Sequence, residues 1–321
     1  MSQQITVTHT HGERISVASG GVELMAYVYA PDPDAFEARK PYAHPLRTLA
    51  GSPVSGYRPN DHRWHKGLQM TSSHLSGQNF WGGNSYLGPD EGYQRVEERV
   101  GSMRHDGFRE FTVTDDRLRF TEQLTWVANP AIQHSGGPEW ARELRTIELH
   151  SVEPDEGTWA LDWSIRLTNT RGEALHFGSP TTAGREMAGY TGLNWRGPRD
   201  FTGGDAFGPD GRGGEGEAGA SDLMGTAATD APWVAFTGEH DGIDAHSTLL
   251  FAHAPENKDG IHASHWFVRS EPIPSVAPSW AFFEEFELPP GESFGYRYRV
   301  VVADGAWDRA RAESYLKNHG W

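Results

Sequence analysis

The chain has 321 residues, of which 36% are hydrophobic and 22% are charged. That balance is typical of a folded globular protein and excludes a chain too polar to bury a core. The formal net charge of −16 would repel phosphate backbones and anionic membrane surfaces, so we expect neither nucleic acid nor a membrane as a partner. The absence of cysteine excludes disulfides, thiolate metal sites and cysteine nucleophiles. With no signal-peptide pattern at the N-terminus, we predict a cytoplasmic location.

Apolar and β-branched residues alternate with polar ones along most of the chain, which is typical of strands with one buried face. In the first half this pattern predicts strands over 5–8, 22–29, 108–114, 118–127, 144–150 and 159–168. In the second half it predicts strands over 233–236, 248–253, 264–269, 280–286 and 294–302. Only residues 306–318 predict a helix, at one end of the sheets. Because strands and helices do not alternate, we predict one all-β sandwich domain over residues 1–321 and not a dinucleotide-binding sheet.

Two insertions interrupt the predicted strands. Residues 41–83 place histidines, an arginine, an aspartate and tryptophans among prolines and glycines, which is typical of a polar pocket built on loops. Residues 200–230 are glycine-rich and acidic, without the spacing of a phosphate-binding or calcium-binding loop. This second insertion is either a lid over a pocket or a plain surface loop.

The local motif that most strongly indicates chemistry lies in the first insertion and consists of Asp61, His62 and His65. The two histidines are spaced to converge on one proton, one sugar hydroxyl or one metal ion, with the aspartate orienting an imidazole. The alternative is a pair of ordinary hydrogen-bonded loop histidines. A zinc or iron site that also uses His44 and Glu186 is a further alternative. No metalloenzyme motif supports that site, and we favour a protein without a metal or other cofactor.

A second polar cluster lies in a glycine-rich stretch and contains Arg185, Glu186, Asn194 and Arg196. Glycines let the backbone approach a ligand closely, and these side chains supply hydrogen-bond donors and one carboxylate. Glu186 is therefore our first candidate for a general acid or base. Its alternative role is a salt bridge to Arg185 or Arg196.

A third cluster lies on two predicted strands near the C-terminus. His265 and Arg269 are four positions apart on one strand and so share a face, which favours a common ligand site. Glu284 and Glu285 lie on the next strand and point to opposite faces. One of them is expected to face the interior or a pocket rim, where a buried glutamate is paired or has a raised pKa.

Three stretches resemble one known family: HPLRTLAGSPVSGYRPNDHRWHKGL with NFWGG, TAGREMAGYTGLNWRGPRDFTG, and HASHWFVRSEPIPSVAPSWAFFEEFELPP. They are similar to the PmoA-like family of soluble proteins, named after a methane oxygenase subunit, over about residues 20–305. That subunit is a membrane protein, and this chain has no spanning segment, so oxygenase chemistry does not follow. The resemblance implies a galactose mutarotase-like β-supersandwich with histidines and a glutamate around the anomeric centre of a sugar. It also implies relatives that act as glycosidases on natural products.

Together these patterns predict a glycoside hydrolase that removes a sugar from a small neutral glycosylated molecule. Such cleavage commonly needs two carboxyl groups, here Glu186 with Glu284 or Glu285. The predicted catalytic residues are Glu186, His62, His65, Glu284 and Glu285. The predicted substrate-binding residues are His44, Arg47, Asp61, Trp64, Asn79, Trp81, Arg185, Asn194, Trp195, Arg196, His265 and Arg269. The alternatives are a sugar mutarotase or epimerase, a non-catalytic carbohydrate-binding protein, and a metal-dependent oxygenase or hydrolase.

Overall fold

The computed structural model describes residues 4–131 and 137–321, and strands and loops make up most of this part of the chain. In chain order the strands are β1 (Ile5–Thr10), β2 (Arg14–Ser19), β3 (Val22–Val28), β4 (Tyr42–Leu46), β5 (Leu68–Ser72), β6 (His74–Leu75), β7 (Ser85–Tyr86), β8 (Tyr93–Gln94), β9 (Ser102–Val113), β10 (Leu118–Val127), β11 (Glu139–Glu153), β12 (Thr158–Asn169), β13 (Leu175–Gly178), β14 (Thr191–Arg196), β15 (Asp205–Phe207), β16 (Gly213–Gly214), β17 (Trp233–Glu239), β18 (His246–His253), β19 (His265–Arg269), β20 (Ser275–Ser279), β21 (Phe286–Leu288) and β22 (Ser293–Asp304). The α-helices are α1 (Gly216–Leu223) and α2 (Arg309–His319). Short 3-10 helices cover Ala35–Glu37, Glu97–Arg99, Arg199–Phe201 and Pro255–Asp259.

Two large antiparallel sheets contain most of these strands. The eight-stranded sheet has the spatial order β1-β2-β3-β4-β5-β14-β20-β19. The nine-stranded sheet has the order β16-β15-β17-β18-β22-β12-β11-β10-β9. A small sheet, β21-β13-β6, and the pair β7-β8 complete the described β-structure. The all-β supersandwich predicted from the sequence is therefore confirmed.

The two large sheets pack face to face over one hydrophobic core. Between ring centroids, Tyr27 of β3 lies 5.2 Å from Phe120 of β10 and 5.9 Å from Trp163 of β12. Trp195 of β14 likewise packs against Phe236 of β17 at 5.3 Å. Each large apolar side chain that is fully buried stabilises the fold by about 1.5–3 kcal/mol. These aromatic contacts therefore hold the sheets in a defined relative position.

The C-terminal helix predicted over 306–318 is confirmed, although α2 begins only at Arg309. Asp308 is its N-cap, since its side chain accepts a hydrogen bond from the backbone N–H of Arg311 at 2.8 Å. Ala312 and Tyr315 of α2 are buried against the outer face of the nine-stranded sheet. Within the described residues, no helix is both long enough and apolar enough to cross a membrane.

The segment 200–230, predicted as a loop, contains regular structure. The strands β15 and β16 extend one edge of the nine-stranded sheet. Helix α1 buries Ala220 and Leu223 in the core. The helix escapes prediction because Gly216 and Gly219 lie within its eight residues, and glycine is a poor helix former.

In the segment 280–286, predicted as a strand, residues 280–284 form a bend after β20, and β21 begins only at Phe286. Trp280, Ala281 and Phe282 are consecutive and all buried. A strand with one buried face alternates buried and exposed positions, so this run does not fit one. The aromatic residues that favour a strand in the sequence instead pack in different directions around the bend.

Candidate active site

A cavity of about 420 Å³ opens beside the eight-stranded sheet. Its wall is formed by the histidine-rich insertion and the chain that follows it, by the turn at Arg185, and by β19 and β20. The predicted site residues that line it are Asp61, His62, Trp64, His65, Asn79, Trp81, Arg185 and Arg269. The fold thus brings residues from three separated parts of the sequence into one wall.

The loop between Tyr57 and Lys66 determines where the two histidines lie, and these two residues bridge its ends. A first turn closes where the backbone N–H of His62 donates to the Pro59 carbonyl at 2.9 Å. A second turn closes where the backbone N–H of His65 donates to the His62 carbonyl at 2.9 Å. The two consecutive turns bring the imidazoles together, with ring centroids 5.0 Å apart.

The tautomer of His65 follows from its neighbour Arg196. Nη1 of Arg196 lies 3.2 Å from Nδ1 of His65, and an arginine can only donate. Nδ1 is therefore the acceptor, and neutral His65 carries its proton on Nε2. Burial, and then the charge of Arg196, holds the pKa of His65 well below its usual range, so the ring is neutral at neutral pH. Among the described residues Nε2 has no hydrogen-bond partner, which leaves its N–H for a ligand.

Asp61 is the only carboxylate among the described residues of the wall. Its Oδ2 lies 3.2 Å from Nδ1 of His62, but outside hydrogen-bonding alignment, so this contact is electrostatic. Its Oδ1 accepts a hydrogen bond from Arg199 Nη2 at 3.1 Å. Burial raises the pKa of Asp61, but its own backbone amide, His62 and Arg199 together lower it below the usual value. Asp61 is therefore anionic at neutral pH.

Two indoles form an apolar part of the wall. The Trp64 ring lies over Gly83, where φ is +72° and a Cβ atom would come within 2.4 Å of the ring, so only glycine fits. Asn79 Oδ1 accepts from the backbone N–H of Trp81 at 2.9 Å. Lys40 Nζ donates to the carbonyl of Trp81 at 2.6 Å. Indole faces held in this way are suited to stacking on a sugar ring or an apolar group.

Two arginines line the same cavity. The guanidinium of Arg185 lies 4.8 Å from the ring centre of Tyr93 and 5.7 Å from that of Tyr190, and it donates to both hydroxyls. Arg269 lies over Phe267 at 5.5 Å. Its Nε is buried and has no hydrogen-bond partner in the described part of the chain. Both side chains therefore offer donors to a ligand.

The three predicted residues on β14 lie behind the wall or in the core. Arg196 supports His65, and its buried Nη2 has no partner among the described residues. Burial lowers the pKa of Arg196 to about 10, so it remains a cation. Asn194 Nδ2 donates to Oγ of Ser275, a wall residue, at 2.9 Å. Trp195 faces the opposite way, as strand alternation requires, and packs in the core.

Three other predicted binding residues lie outside the described wall. Burial, and then the charge of Arg47, lowers the pKa of His44 to about 4. Arg47 itself pairs with Glu23 at 3.2 Å. His265 lies on β19 as predicted, but its ring packs 5.0 Å from that of Phe283 and does not join Arg269 in the wall.

The candidate catalytic glutamates Glu186, Glu284 and Glu285 are all exposed and lie outside the described wall. Glu186 is in a turn directly after the wall residue Arg185. Glu285 accepts a hydrogen bond from Thr182 Oγ1 at 3.0 Å. The sequence predicts that one of Glu284 and Glu285 faces the interior or a pocket rim, but both are exposed and neither lines the described wall, because the bend at this position removes the alternation of a strand.

The described side chains do not form the metal site considered from the sequence. One group of side chains among them is spaced to share an ion, and it consists of Glu153, Glu156 and His319, outside the cavity. The set considered for zinc or iron is not brought together in this way: His44, His62, His65 and Glu186.

The wall also contains residues that sequence reasoning did not select. His74 Nε2 lies 3.1 Å from the carbonyl oxygen of Tyr86, and burial lowers the pKa of His74. His74 belongs to the histidine-rich insertion, so composition was a usable signal for it. Tyr93, Tyr190 and Phe267 come from three distant parts of the chain. No local pattern distinguishes them from aromatic residues of the core.

A second cavity, of about 640 Å³, lies between the nine-stranded sheet and α2. It is larger and more apolar than the first. Its buried titratable residue is His253, whose pKa burial lowers to about 3, and Lys258, Glu313 and Lys317 on its wall are exposed. The first cavity combines two adjacent imidazoles with a carboxylate and arginines, which makes it the better candidate for catalysis.

No curated protein matches the chain. Among solved structures, the GH36 α-galactosidase AgaA from Geobacillus stearothermophilus has 12% identity and a TM-score of 0.42, over 94% of this chain and 41% of that one. The chain thus spans about two fifths of the galactosidase. A proposed aldose 1-epimerase from Klebsiella pneumoniae has 11% identity and a TM-score of 0.40, over 98% of this chain and 82% of the epimerase. A galactose mutarotase related enzyme from Lactobacillus acidophilus has 9% identity and a TM-score of 0.33, over 94% of this chain and 97% of that enzyme. Likenesses this distant carry no argument about activity.

The assignment to the PmoA-like family is wrong. The family model that matches is a different one, and it covers residues 14–317, nearly the whole chain. The chain therefore belongs to the family of unknown function DUF6807.

Proposed function

We propose that the cavity is the active site of an enzyme that transfers protons at the anomeric centre of a small sugar or glycoside. The observation that carries this proposal is the pair of imidazoles, 5.0 Å apart, with different polar neighbours. The hydrogen bond from Arg196 to Nδ1 of His65 places the proton of His65 on Nε2, where it can be donated to a ligand. His62 lies beside the carboxylate of Asp61. A donor and a base held at one position are what anomeric chemistry requires.

The simplest reaction of this kind is the interconversion of the α and β anomers of an aldose. His62 takes the proton of the C1 hydroxyl while the bond between C1 and the ring oxygen breaks, and Asp61 stabilises the imidazolium that forms. The Nε2–H of His65 donates to the ring oxygen, where negative charge develops. The open-chain aldehyde then rotates about its C1–C2 bond, and the ring oxygen, still hydrogen-bonded to His65 Nε2–H, attacks the other face of the C1 carbonyl. His62 then returns its proton to the C1 oxygen.

Hydrolysis of a glycoside is the second candidate. The indoles of Trp64 and Trp81 favour it, because they offer apolar surface for an aglycone next to the histidines. Glycosidases commonly use two carboxyl groups, whereas Asp61 is the only one among the described wall residues. In this reaction Asp61 would face the oxocarbenium-like centre, and His62 would protonate the leaving oxygen.

The test follows both reactions with the purified protein. Freshly dissolved α-anomers of several aldoses are monitored by NMR, and a panel of 4-nitrophenyl glycosides is monitored for release of nitrophenol. We expect faster equilibration of at least one aldose than in buffer alone, and EDTA should leave this activity intact. Release of nitrophenol without anomer interconversion would favour hydrolysis. Neither reaction, with sugars still bound, would exclude both enzymes and leave a binding protein.

A further inference from the structure

The cavity gathers positive charge in a protein that is strongly acidic overall. The chain has 44 acidic and 28 basic residues, so carboxylate partners for arginine are abundant. Two buried arginines elsewhere use them: Arg145 pairs with Glu143 at 2.7 Å and Arg299 pairs with Asp162 at 2.7 Å. The arginines at the cavity are arranged differently.

Within the described residues, Arg185, Arg196 and Arg269 form no ion pair with a carboxylate. Arg185 contacts only tyrosine rings and hydroxyls. Arg269 lies over a phenylalanine and has an unpartnered buried Nε. Arg196 is 1% exposed, donates to the neutral ring of His65, and has an unpartnered buried Nη2.

The one carboxylate of the described wall forms no ion pair with these three arginines, although its charge acts on Arg196. Asp61 is already 3.1 Å from Arg199 and 3.2 Å from His62. A guanidinium removed from water without an anionic partner costs free energy. Such an arrangement is expected where the missing partner is a ligand, as in sites that bind anions through arginine.

We propose that the sugar bound in this cavity carries an anionic group, a carboxylate or a phosphate, and that Arg185 and Arg269 bind it. The inference rests on the proposed function and specifies its substrate class. The net charge of −16 favours a neutral substrate for the protein as a whole, but the interaction that matters at contact distance is with the groups of the wall. The planar fork of an arginine suits both carboxylate and phosphate oxygens.

The experiment measures binding by calorimetry, with matched pairs of sugars that differ in the anionic group. One pair is D-galacturonate and D-galactose, and the other is D-glucose 6-phosphate and D-glucose. We expect at least one anionic sugar to bind roughly tenfold or more tightly than its neutral partner, the usual effect of a hydrogen bond to a charged group. The preferred pair identifies carboxylate or phosphate as the anion.

Three cavity variants and one control locate the effect. Arg269→Met and Arg185→Met should each reduce the preference for the anionic sugar several-fold, and Arg269→Lys should retain part of it because it keeps the charge. Arg166→Met replaces an exposed arginine of β12, outside the cavity wall, and should leave the preference unchanged. A preference that survives in both Arg269→Met and Arg185→Met would overturn the proposal.

Equal or tighter binding of the neutral sugars, or no binding of any of the four, would also overturn it. Binding and turnover separate this inference from the proposed function. If D-galacturonate binds tightly but neither anomer interconversion nor hydrolysis occurs, the proposed function fails and the charge assignment stands. If D-galactose is turned over without any preference for an anionic sugar, the function stands and the charge assignment fails.

Discussion

Two regions of this protein bury charged side chains, and they differ in whether those charges have partners. The inter-sheet polar cluster lies between the two large sheets and consists of Tyr27, His105, Glu122, Glu143 and Arg145. Arg145 Nε donates to Glu143 Oε1 at 2.7 Å, and its Nη1 donates to the Tyr27 hydroxyl at 3.1 Å. His105 Nδ1 lies 2.6 Å from Glu122 Oε1. Every ionisable member of the cluster thus has a partner.

The candidate active site leaves comparable atoms without one. Among the described residues of the site and its support, such buried and unpartnered atoms include Asn194 Oδ1, Arg196 Nη2 and Arg269 Nε. Buried polar groups are normally hydrogen-bonded, so folding alone accounts for the inter-sheet polar cluster but not for the site. Arg145 is paired with a carboxylate, whereas Arg196 and Arg269 form no such pair within the described residues, and this absence of an anionic partner distinguishes the candidate site from the inter-sheet polar cluster.

The largest effect is expected in the inter-sheet polar cluster. Arg145→Met leaves Glu143 buried without its cation, and we expect the free energy of unfolding to fall by about 3–5 kcal/mol. Urea denaturation measures this change. As a control, the double variant Glu143→Leu with Arg145→Met removes both charges and should recover most of the stability. A loss below about 1 kcal/mol in the single variant, the size expected of an exposed ion pair, would contradict a structural role.

At the candidate active site the expected loss is in turnover. His62→Ala removes the proposed base and should lower turnover by about a hundredfold or more, with His65→Ala giving a similar loss. Anomer interconversion by NMR is the measurement. The matched control is His176→Ala, since His176 is an exposed histidine outside the described wall. Wild-type rates in both His62→Ala and His65→Ala would remove them from the mechanism.

The variant Arg196→Met tests whether Arg196, unlike Arg145, contributes to turnover and not to stability. It removes the donor that defines the His65 tautomer, and turnover should fall by an amount of the order of tenfold, a usual cost of losing a group that orients a histidine. The free energy of unfolding should stay unchanged or rise, because a buried cation without an anionic partner is removed. Both quantities are measured on the same preparation. A destabilisation as large as that of Arg145→Met would show that Arg196 is structural.

The smallest effect is a pH dependence of stability. The folded-state pKa of His65 lies well below that of the unfolded chain, about 6.5. As the pH falls below that value, the unfolded chain binds a proton that the folded protein does not, so the free energy of unfolding decreases toward acid pH. The full contribution of neutral His65 to stability is present above the unfolded-state pKa. His44 and His253, with pKa values of about 4 and about 3, act in the same direction. His65→Gln should therefore reduce the slope of the free energy of unfolding between pH 5 and pH 7, without abolishing it. Identical slopes for the variant and the wild type would show that His65 does not contribute to the pH dependence of stability.

Much of the fold could be predicted because a strand in a two-sided sandwich has a local signature. The predicted strands 118–127 and 159–168 agree closely with β10 and β12, because β-branched and aromatic residues favour strands in both segments. Prediction failed at 280–286, where three consecutive buried residues have no single face. It also failed at α1, whose stability comes from packing into the core and not from its glycine-containing sequence.

The candidate site could be predicted only in part, for a related reason. His62, Trp64 and His65 lie in one loop, so their clustering in the sequence carries over to space. Arg185 and Glu186 are neighbours in the sequence, yet one lines the cavity and the other is exposed. Composition treats the two alike, because only the turn that follows β13 decides which side chain points inward.

The sequence by itself determined that the protein is an all-β sandwich with a histidine-rich polar loop. Both properties are local: alternation is set by the backbone period of two, and a loop is set by its prolines and glycines. Only the tertiary structure decided that Arg269 and Tyr190 complete the wall, that Arg196 defines the tautomer of His65, and that the three glutamates lie outside. His65 and Arg196 lie more than a hundred positions apart in the sequence, and they meet because β5 and β14 are neighbours in the order β5-β14-β20-β19 of the eight-stranded sheet.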